Sequence, residues 1–301
     1  MKVLVTGAAG FIGHKMAQKF RADQHDVLGW DVVNPTGNPG IQIVDMFDLT
    51  EIIEGLKSFA PDIVIHCAGS ADVNKSVKNP EADFRGNVVI THNLLFGLQK
   101  AGMTGVRLVF LSSAGVYGNP QTFPITEETP LNPLSPYAIH KEMCEDLCRF
   151  FAKHYGMPVR VARIFSAYGA GLRKQIFWDM YCKFRLTGRL EMFGTGNESR
   201  DYIHVEDVVQ ALQLLALADT DEIVFNVANG EEITIRNATE MFAAGIGADP
   251  NVISFSGTVR EGDPLNWRAD ISKIQKLGYR KTKDLQQGLN DYCQWAMGQE
   301  Q

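Results

Sequence analysis

Long apolar runs are missing from this 301-residue chain. No stretch approaches the ~20 apolar residues that a bilayer-spanning helix needs, so no membrane partner is expected. Basic runs are missing too. The net charge is −6, with no Lys/Arg cluster, and this excludes the basic face of an ordinary nucleic-acid binder. Cysteine is scarce. Five cysteines, an odd number in a long chain, read as reduced thiols and not as a disulfide framework. The start lacks the pattern of a secretory signal, because Met1 leads into the strand-like Lys2-Val3-Leu4-Val5-Thr6 and then glycines. The expected location is the cytoplasm. Internal repeats, heptads and low-complexity tracts are absent. What remains is an ordinary globular composition, 45% hydrophobic and 21% charged, in a chain long enough to bury a large core.

The first half alternates short apolar strands with helices. Strands are predicted over Val3–Thr6, Asp26–Trp30, Ile41–Val44, Ile63–His66, Leu108–Ser112 and Pro158–Arg163. Helices are predicted over Phe11–Arg21, Leu49–Phe59, Val88–Lys100, and from the Ser135 N-cap with Pro136 behind it to about His154. This alternation predicts an α/β fold, a Rossmann-type doubly wound parallel sheet whose strand C-termini share one ligand-binding edge. Beyond residue 165 the pattern loosens. The expected division is a nucleotide-binding domain over 1–165, with segments near 200–230 returning to it. The rest of 166–301 is expected to be mainly a smaller α/β substrate-binding lobe.

Gly7-Ala8-Ala9-Gly10-Phe11-Ile12-Gly13 follows a predicted strand and opens a predicted helix. Its G-x-x-G-x-x-G spacing suits a dinucleotide pyrophosphate, since glycines admit a tight turn and backbone N–H groups face the anion at the helix start. Gly7, Gly10, Phe11, Ile12 and Gly13 are therefore candidate cofactor contacts. Asp31, at the end of the second strand, is placed to accept hydrogen bonds from ribose hydroxyls. It would repel a 2′-phosphate, and Val32-Val33 offer no arginine to hold one, so NAD is preferred over NADP.

Tyr137 and Lys141 form Y-x-x-x-K at a helix start, and i,i+4 spacing puts both on one face. Ser112-Ser113 ends a strand on the ligand edge. Ser113, Tyr137 and Lys141 suit hydride chemistry at a carbinol, with the phenol oxygen taking the hydroxyl proton. A free phenol has a pKa of about 10, and lowering it by three units requires about 4 kcal/mol. Lys141 and a nicotinium charge are the expected sources.

In this order the motifs resemble the extended short-chain dehydrogenase/reductase family, in its NDP-sugar epimerase/dehydratase branch, with a likeness to UDP-glucose 4-epimerases. The likeness runs from the opening Thr6–Gly13 through Val64–Gly69, Asn87, Ser112–Gly118, Ser135-Pro136-Tyr137 with Lys141, Arg163-Ile164-Phe165 and Arg200–Val205 to Arg260-Glu261-Gly262-Asp263-Pro264. It implies that Asp45, with Met46 beside it, contacts adenine. It implies that Ala68 and Asn87 line the cofactor channel, and that Ser112, Tyr137 and Lys141 also touch the cofactor. Arg200 and Arg260 would clamp the sugar-nucleotide pyrophosphate, Asp263 would help hold the nucleotide, and Phe193 would stack on the base. Ser166, where many 4-epimerases carry Asn, and Gln175, in the basic Leu172-Arg173-Lys174-Gln175 turn, are further substrate candidates. Ala114-Gly115 stands where dehydratases of the branch carry Asp-Glu, which argues against dehydration. Ala114 also stands where GDP-fucose synthases of the branch carry cysteine.

Competing readings remain beside these. Phe193 suits core packing equally, and Arg200 would pair with Asp201. His140, Cys144 and Cys148 share a helix face, but His140 to Cys148 spans about 12 Å, too far for one metal ion. No metal is expected. His66 reads as a satisfied core histidine and Cys67 as a small hydrophobe near the cofactor. The helices near 82–100 and after Tyr137 are expected to pair across a homodimer. The leading function is C4 epimerisation of a nucleotide-activated hexose. The alternatives are an NAD(P)H-dependent NDP-4-keto-6-deoxysugar reductase and a non-catalytic NAD-binding sensor.

Overall fold

A computed structural model describes residues 1–258 and 265–300. Six strands follow in chain order: β1 (Lys2–Thr6), β2 (Asp26–Asp31), β3 (Ile41–Ile43), β4 (Ile63–His66), β5 (Arg107–Ser113) and β6 (Val159–Ile164). With the later Val224–Val227 strand they form a seven-stranded sheet. From one edge the order is Val224–Val227, β6, β5, β4, β1, β2, β3. Every neighbouring pair is parallel. This is the doubly wound Rossmann arrangement, and its order reverses between β1 and β4, where such sheets bind ligands.

Strand alternation explains the two cores. Val3 and Val5 of β1 pack on one face with Met16, Phe20, Val208 and Leu212. Leu4 between them packs on the other with Trp30, Ile52, Leu94 and Cys148. The first face is covered by the Phe11–Ala22 and Val205–Leu217 helices, and the second by Leu49–Phe59, Ile90–Lys100 and Pro136–Tyr155. A third core gathers Phe177, Met180, Phe242, Leu289 and Tyr292 from the helices Gln175–Thr187, Ile235–Gly245 and Leu285–Met297.

Most element bounds fall within a residue or two of the predicted ones, and Ser135 caps its helix by accepting the Ala138 N–H. The helix predicted over Val88–Lys100 differs. It begins as Pro80–Phe84, capped by Asn79, passes through a π-helical turn at Arg85–Val89, and continues as Ile90–Lys100. The wide turn carries Asn87, and such turns are frequent at functional sites. The short Val73–Lys78 helix had no apolar period to announce it.

Candidate active site

The glycine turn between β1 and the first helix is too tight for side chains. A Cβ on Gly13 would lie 2.1 Å from the Gly7 carbonyl oxygen. One on Gly7, whose φ is +67°, would lie 2.7 Å from the Ala68 nitrogen. Gly10 caps the helix without a side-chain hydrogen bond, which leaves its first amides for another acceptor. The Ala9 N–H donates to Asp31 Oδ2 at 2.9 Å, so the carboxylate at the end of β2 is fastened beside the turn. Phe11 reaches toward the Gly171 backbone, and Ile12 packs on the first core.

The other cofactor candidates surround this turn. Ala68 follows β4, and its N–H donates to Thr6 Oγ1 at 3.3 Å. Asp45 is exposed and accepts the Phe47 N–H, while Met46 is buried and its carbonyl is held by Asn93 Nδ2 at 3.1 Å. Asn87 is buried, and its Oδ1 has no hydrogen-bond partner among the described residues. That oxygen lies 2.7 Å from where a Gly69 Cβ would stand, with Lys141 Nζ 3.5 Å from the same point. A side-chain-free cradle, a fastened carboxylate and an orphaned amide oxygen fit a dinucleotide laid from Asp31 to Lys141.

Ser113, Tyr137 and Lys141 meet at the end of β5. Ser113 Oγ accepts the Gly115 N–H at 3.1 Å and caps the short turn Ala114–Tyr117. The Tyr137 N–H donates to the buried Ser76 hydroxyl at 3.1 Å, which ties the helix start to the Val73–Lys78 segment. Lys141 Nζ donates to the Leu111 carbonyl at 2.9 Å and lies 5.9 Å from the centre of the Tyr137 ring. Tyr137 is partly exposed where it borders the cleft, yet the protein packed around it pushes the phenol up to about 12. The Ser113 hydroxyl bonds the phenol and pulls the other way. Burial lowers Lys141. Burial therefore sets the phenol against the lowering expected from the sequence, and the chain's main opposing contact is Ser113.

The Ser112 side chain turns away from the cleft that Ser113 lines. Its hydroxyl donates to Glu145 Oε1 at 2.6 Å in the core. Arg163 grips the same carboxylate through Nε at 2.9 Å and a terminal nitrogen at 2.7 Å. Arg163 also donates to the Tyr117 oxygen at 2.9 Å, and Tyr117 donates to Asn226 at 2.7 Å. All five side chains are buried. The reason is the i,i+4 placement of Glu145 after Lys141, which turns it toward β5 and β6.

A cleft of about 550 Å³ opens beside these groups. Ser113, Tyr137, Ser166, Gln175, Phe193 and Arg200 all line it. Arg260 and Asp263 lie outside the described residues. The buried Asp201 carboxylate accepts the N–H groups of Asn229, Gly230 and Ala269, and Arg200 donates to the Ser199 carbonyl at 2.8 Å. The Arg200 guanidinium lies 5.6 Å from the Trp267 ring centre. Phe193 is half-exposed, with the Lys183 ammonium 5.5 Å from its ring centre. Sequence reasoning did not single out Asn74, Lys183 or Trp267, which also line the cleft. They stand in stretches without motif or period. In the basic turn the two cations part company. Lys174 borders the cleft, while Arg173 lies over the rings of Trp178 and Trp295, at 5.9 Å and 6.0 Å.

The residues set aside in the sequence are occupied in the core. His66 Nδ1 bonds Thr6 at 2.7 Å and Nε2 bonds Thr91 at 3.1 Å, and burial lowers the ring to about 3. Cys144 and Cys148 pack against the second face of the sheet. His140 bonds Asp83.

A parallel sheet with a glycine cradle at its switch point and Ser, Tyr and Lys at a neighbouring strand end defines an extended short-chain dehydrogenase/reductase. The model of the NAD dependent epimerase/dehydratase family matches residues 3–228, and the chain belongs to that family. It is 33% identical to a putative UDP-glucose 4-epimerase of Methanocaldococcus jannaschii, over 97% of each chain. UDP-glucose 4-epimerase of Thermotoga maritima, solved with UDP-glucose, superposes with a TM-score of 0.91 at 27% identity, over 100% of each chain. MoeE5, solved with UDP-glucose and NAD, superposes with a TM-score of 0.89 at 30% identity, also over 100% of each.

Proposed function

We propose that this enzyme epimerises C4 of a nucleotide-activated hexose such as UDP-glucose or UDP-galactose. One observation carries the reading. Ser113 and Tyr137 border the same cleft as Arg200 and Phe193, while Ala114-Gly115 beside the serine supply no acid or base for dehydration. The relatives named UDP-glucose 4-epimerase support the same choice. Asp31, Asn87, Lys141 and the glycine turn would hold NAD, which supplies hydride acceptance and return when bound. Tyr137 takes the C4 hydroxyl proton and later gives it back, and Ser113 holds the same oxygen in line. Arg200 clamps the pyrophosphate, with Phe193 at the base and Ser166 and Gln175 at the sugar nucleotide. With the nucleotide held by Arg200 and Phe193, the cleft would let the sugar turn and present its other face.

The proposal includes a nucleotide-binding part over 1–165, joined by segments near 200–230, and a substrate lobe from the remainder of 166–301. It also includes a homodimer through the helices near 82–100 and after Tyr137, the second of which exposes Ile139, Met143 and Phe150, and a cytoplasmic setting. No helix among the described residues is long and apolar enough to cross a membrane.

The test is to denature the purified protein, quantify released nicotinamide nucleotide, and assay UDP-glucose and UDP-galactose interconversion without added cofactor. Near-stoichiometric NAD with turnover is expected. Tyr137→Phe should lose about 10²-fold or more in rate. Protein that arrives empty and oxidises added NADH or NADPH only with a 4-keto sugar nucleotide would be a reductase, and the proposal would fall.

A further inference from the structure

Asp201 is fully buried and stands between two residues that line the cleft, Arg200 and Tyr202. Its carboxylate faces three backbone N–H groups from two other segments. Oδ1 accepts from Asn229 at 2.9 Å, and Oδ2 accepts from Gly230 at 2.9 Å and from Ala269 at 3.1 Å. Both oxygens only accept here, which is the pattern of an ionised carboxylate. Burial pushes the carboxyl up to about 7, with Glu231 adding to the rise and the three N–H groups drawing it back. At pH 8 it carries its charge.

The bond to Ala269 reaches the cleft. Ala269 follows two residues after Trp267, which lines the cleft as Arg200 does. The Ser199 N–H donates to the Leu265 carbonyl at 2.9 Å. Ser199–Asp201 is therefore stitched to Leu265–Ala269 at both ends. Between the stitches the Arg200 guanidinium lies 5.6 Å from the Trp267 ring centre. It also donates to the Ser199 carbonyl at 2.8 Å and to the Leu265 carbonyl at 3.4 Å. The indole is fixed from its other edge, where its N–H donates to the Gly118 carbonyl at 3.1 Å. A cation over a ring is attracted without a directional bond, so its aim depends on the backbone beneath both partners. The Asp201 carbonyl adds a third tie by accepting the Ser166 N–H at 3.0 Å. Ser166, Arg200 and Trp267 come from distant parts of the chain and share the cleft wall through this one residue.

We propose that Asp201 is a positioning residue, which sets the Arg200 guanidinium against Trp267 so that the cation is already aimed when the pyrophosphate of a sugar nucleotide arrives. The inference rests on reading Arg200 as the pyrophosphate clamp. The pyrophosphate does not change during chemistry at C4, so the loss of aim falls on binding and not on the hydride or proton steps.

The experiment, at pH 8, compares NAD-loaded wild-type enzyme with Asp201→Asn, Arg200→Ala and the double variant. Turned either way, the asparagine amide sets its NH2 against at least one of the three N–H groups. UDP affinity is read by calorimetry and KM and kcat with UDP-glucose, with Tm beside them. Trp267 emission is obtained by subtracting the same protein carrying Trp267→Phe, which removes the other tryptophans among the four. Asp201→Asn should weaken UDP and raise KM about 10-fold, with kcat changed less than about twofold. In the Arg200→Ala background it should weaken UDP by less than about twofold, because the group it aims is gone. Trp267 emission should shift. Asp201→Ser, which removes the charge, takes the place of Asp201→Asn should that variant not fold. Unmoved UDP affinity, an equal loss in both backgrounds, or unmoved Trp267 emission would each overturn the inference, whatever the Tm. Wild-type protein that binds neither UDP nor UDP-glucose would sink the proposed function instead, and the Trp267 emission would still decide whether Asp201 sets the pair.

Discussion

Replacing Gly13 by alanine tests whether the first turn is the cofactor cradle. The added Cβ would stand 2.1 Å from the Gly7 carbonyl oxygen, where real contacts keep 3.0 Å. It would also stand 2.8 Å from the Gly7 carbonyl carbon and 3.2 Å from Ala8 Cα. All three are backbone atoms, so no side chain can swing aside and the turn itself must move by about 0.9 Å. A 1 Å misplacement of positioned groups costs about 10²-fold, or roughly 3 kcal/mol. Gly10→Ala is the internal control, because its Cβ would meet the Gly7 oxygen at 3.1 Å, a strain of a few tenths of an ångström. The assay is NAD retained after gel filtration, with Tm beside it. Gly13→Ala should emerge nearly empty while Gly10→Ala keeps most of its NAD. Equal retention in the two variants would refute the cradle.

Other perturbations reach different parts of the molecule. Arg163→Met leaves Glu145 buried without its main cation and should cost about 3–5 kcal/mol in a denaturant titration. A loss of less than about 1 kcal/mol would mean that Arg149, which also bonds Glu145, carries the pair instead. His66 is lowered from 6.5 to about 3 by burial, so its contribution to stability is present above pH 6.5 and lost as pH falls toward 3. Between pH 6.5 and 4 this amounts to roughly 3 kcal/mol. His66→Gln should flatten that part of the stability curve, and an unchanged slope would count against it.

The fold was legible because its signals are local. Val3–Val5 and Ile63–Ile65 read as strands buried on both faces, and Ser135-Pro136 and the glycine turn mark helix starts within a residue. Asn87 was legible from its motif, but its π-helical turn was not. A widened turn changes the hydrogen-bond pattern and leaves the apolar period of Leu94, Leu95 and Leu98 intact. The cleft was legible only at its motif residues. Trp267 borders it through packing on Phe165 and a hydrogen bond to the Gly118 carbonyl, contacts made far away in sequence. The Asp83–His140 pair is equally long-range, because its partners are 57 positions apart.

The adjacent serines at the end of β5 show where local reading stops. Successive side chains of a strand face opposite sides. Leu108 and Phe110 join the second core, while Val109 and Leu111 join the first. Ser112 therefore falls with Leu108 and Phe110 on the side of the Pro136–Tyr155 helix, where Glu145 and Arg163 claim its hydroxyl. Ser113, one residue later, caps the following turn at the strand end and opens onto the cleft. Two identical residues thus take a place in the core and a place on the cleft by phase alone. The phase is fixed by which face of the sheet each helix covers, a property of the whole doubly wound topology. A one-residue slip of β5 would exchange the two roles, so the buried Glu145–Arg163 pair, by holding Ser112, also holds Ser113 at the phenol.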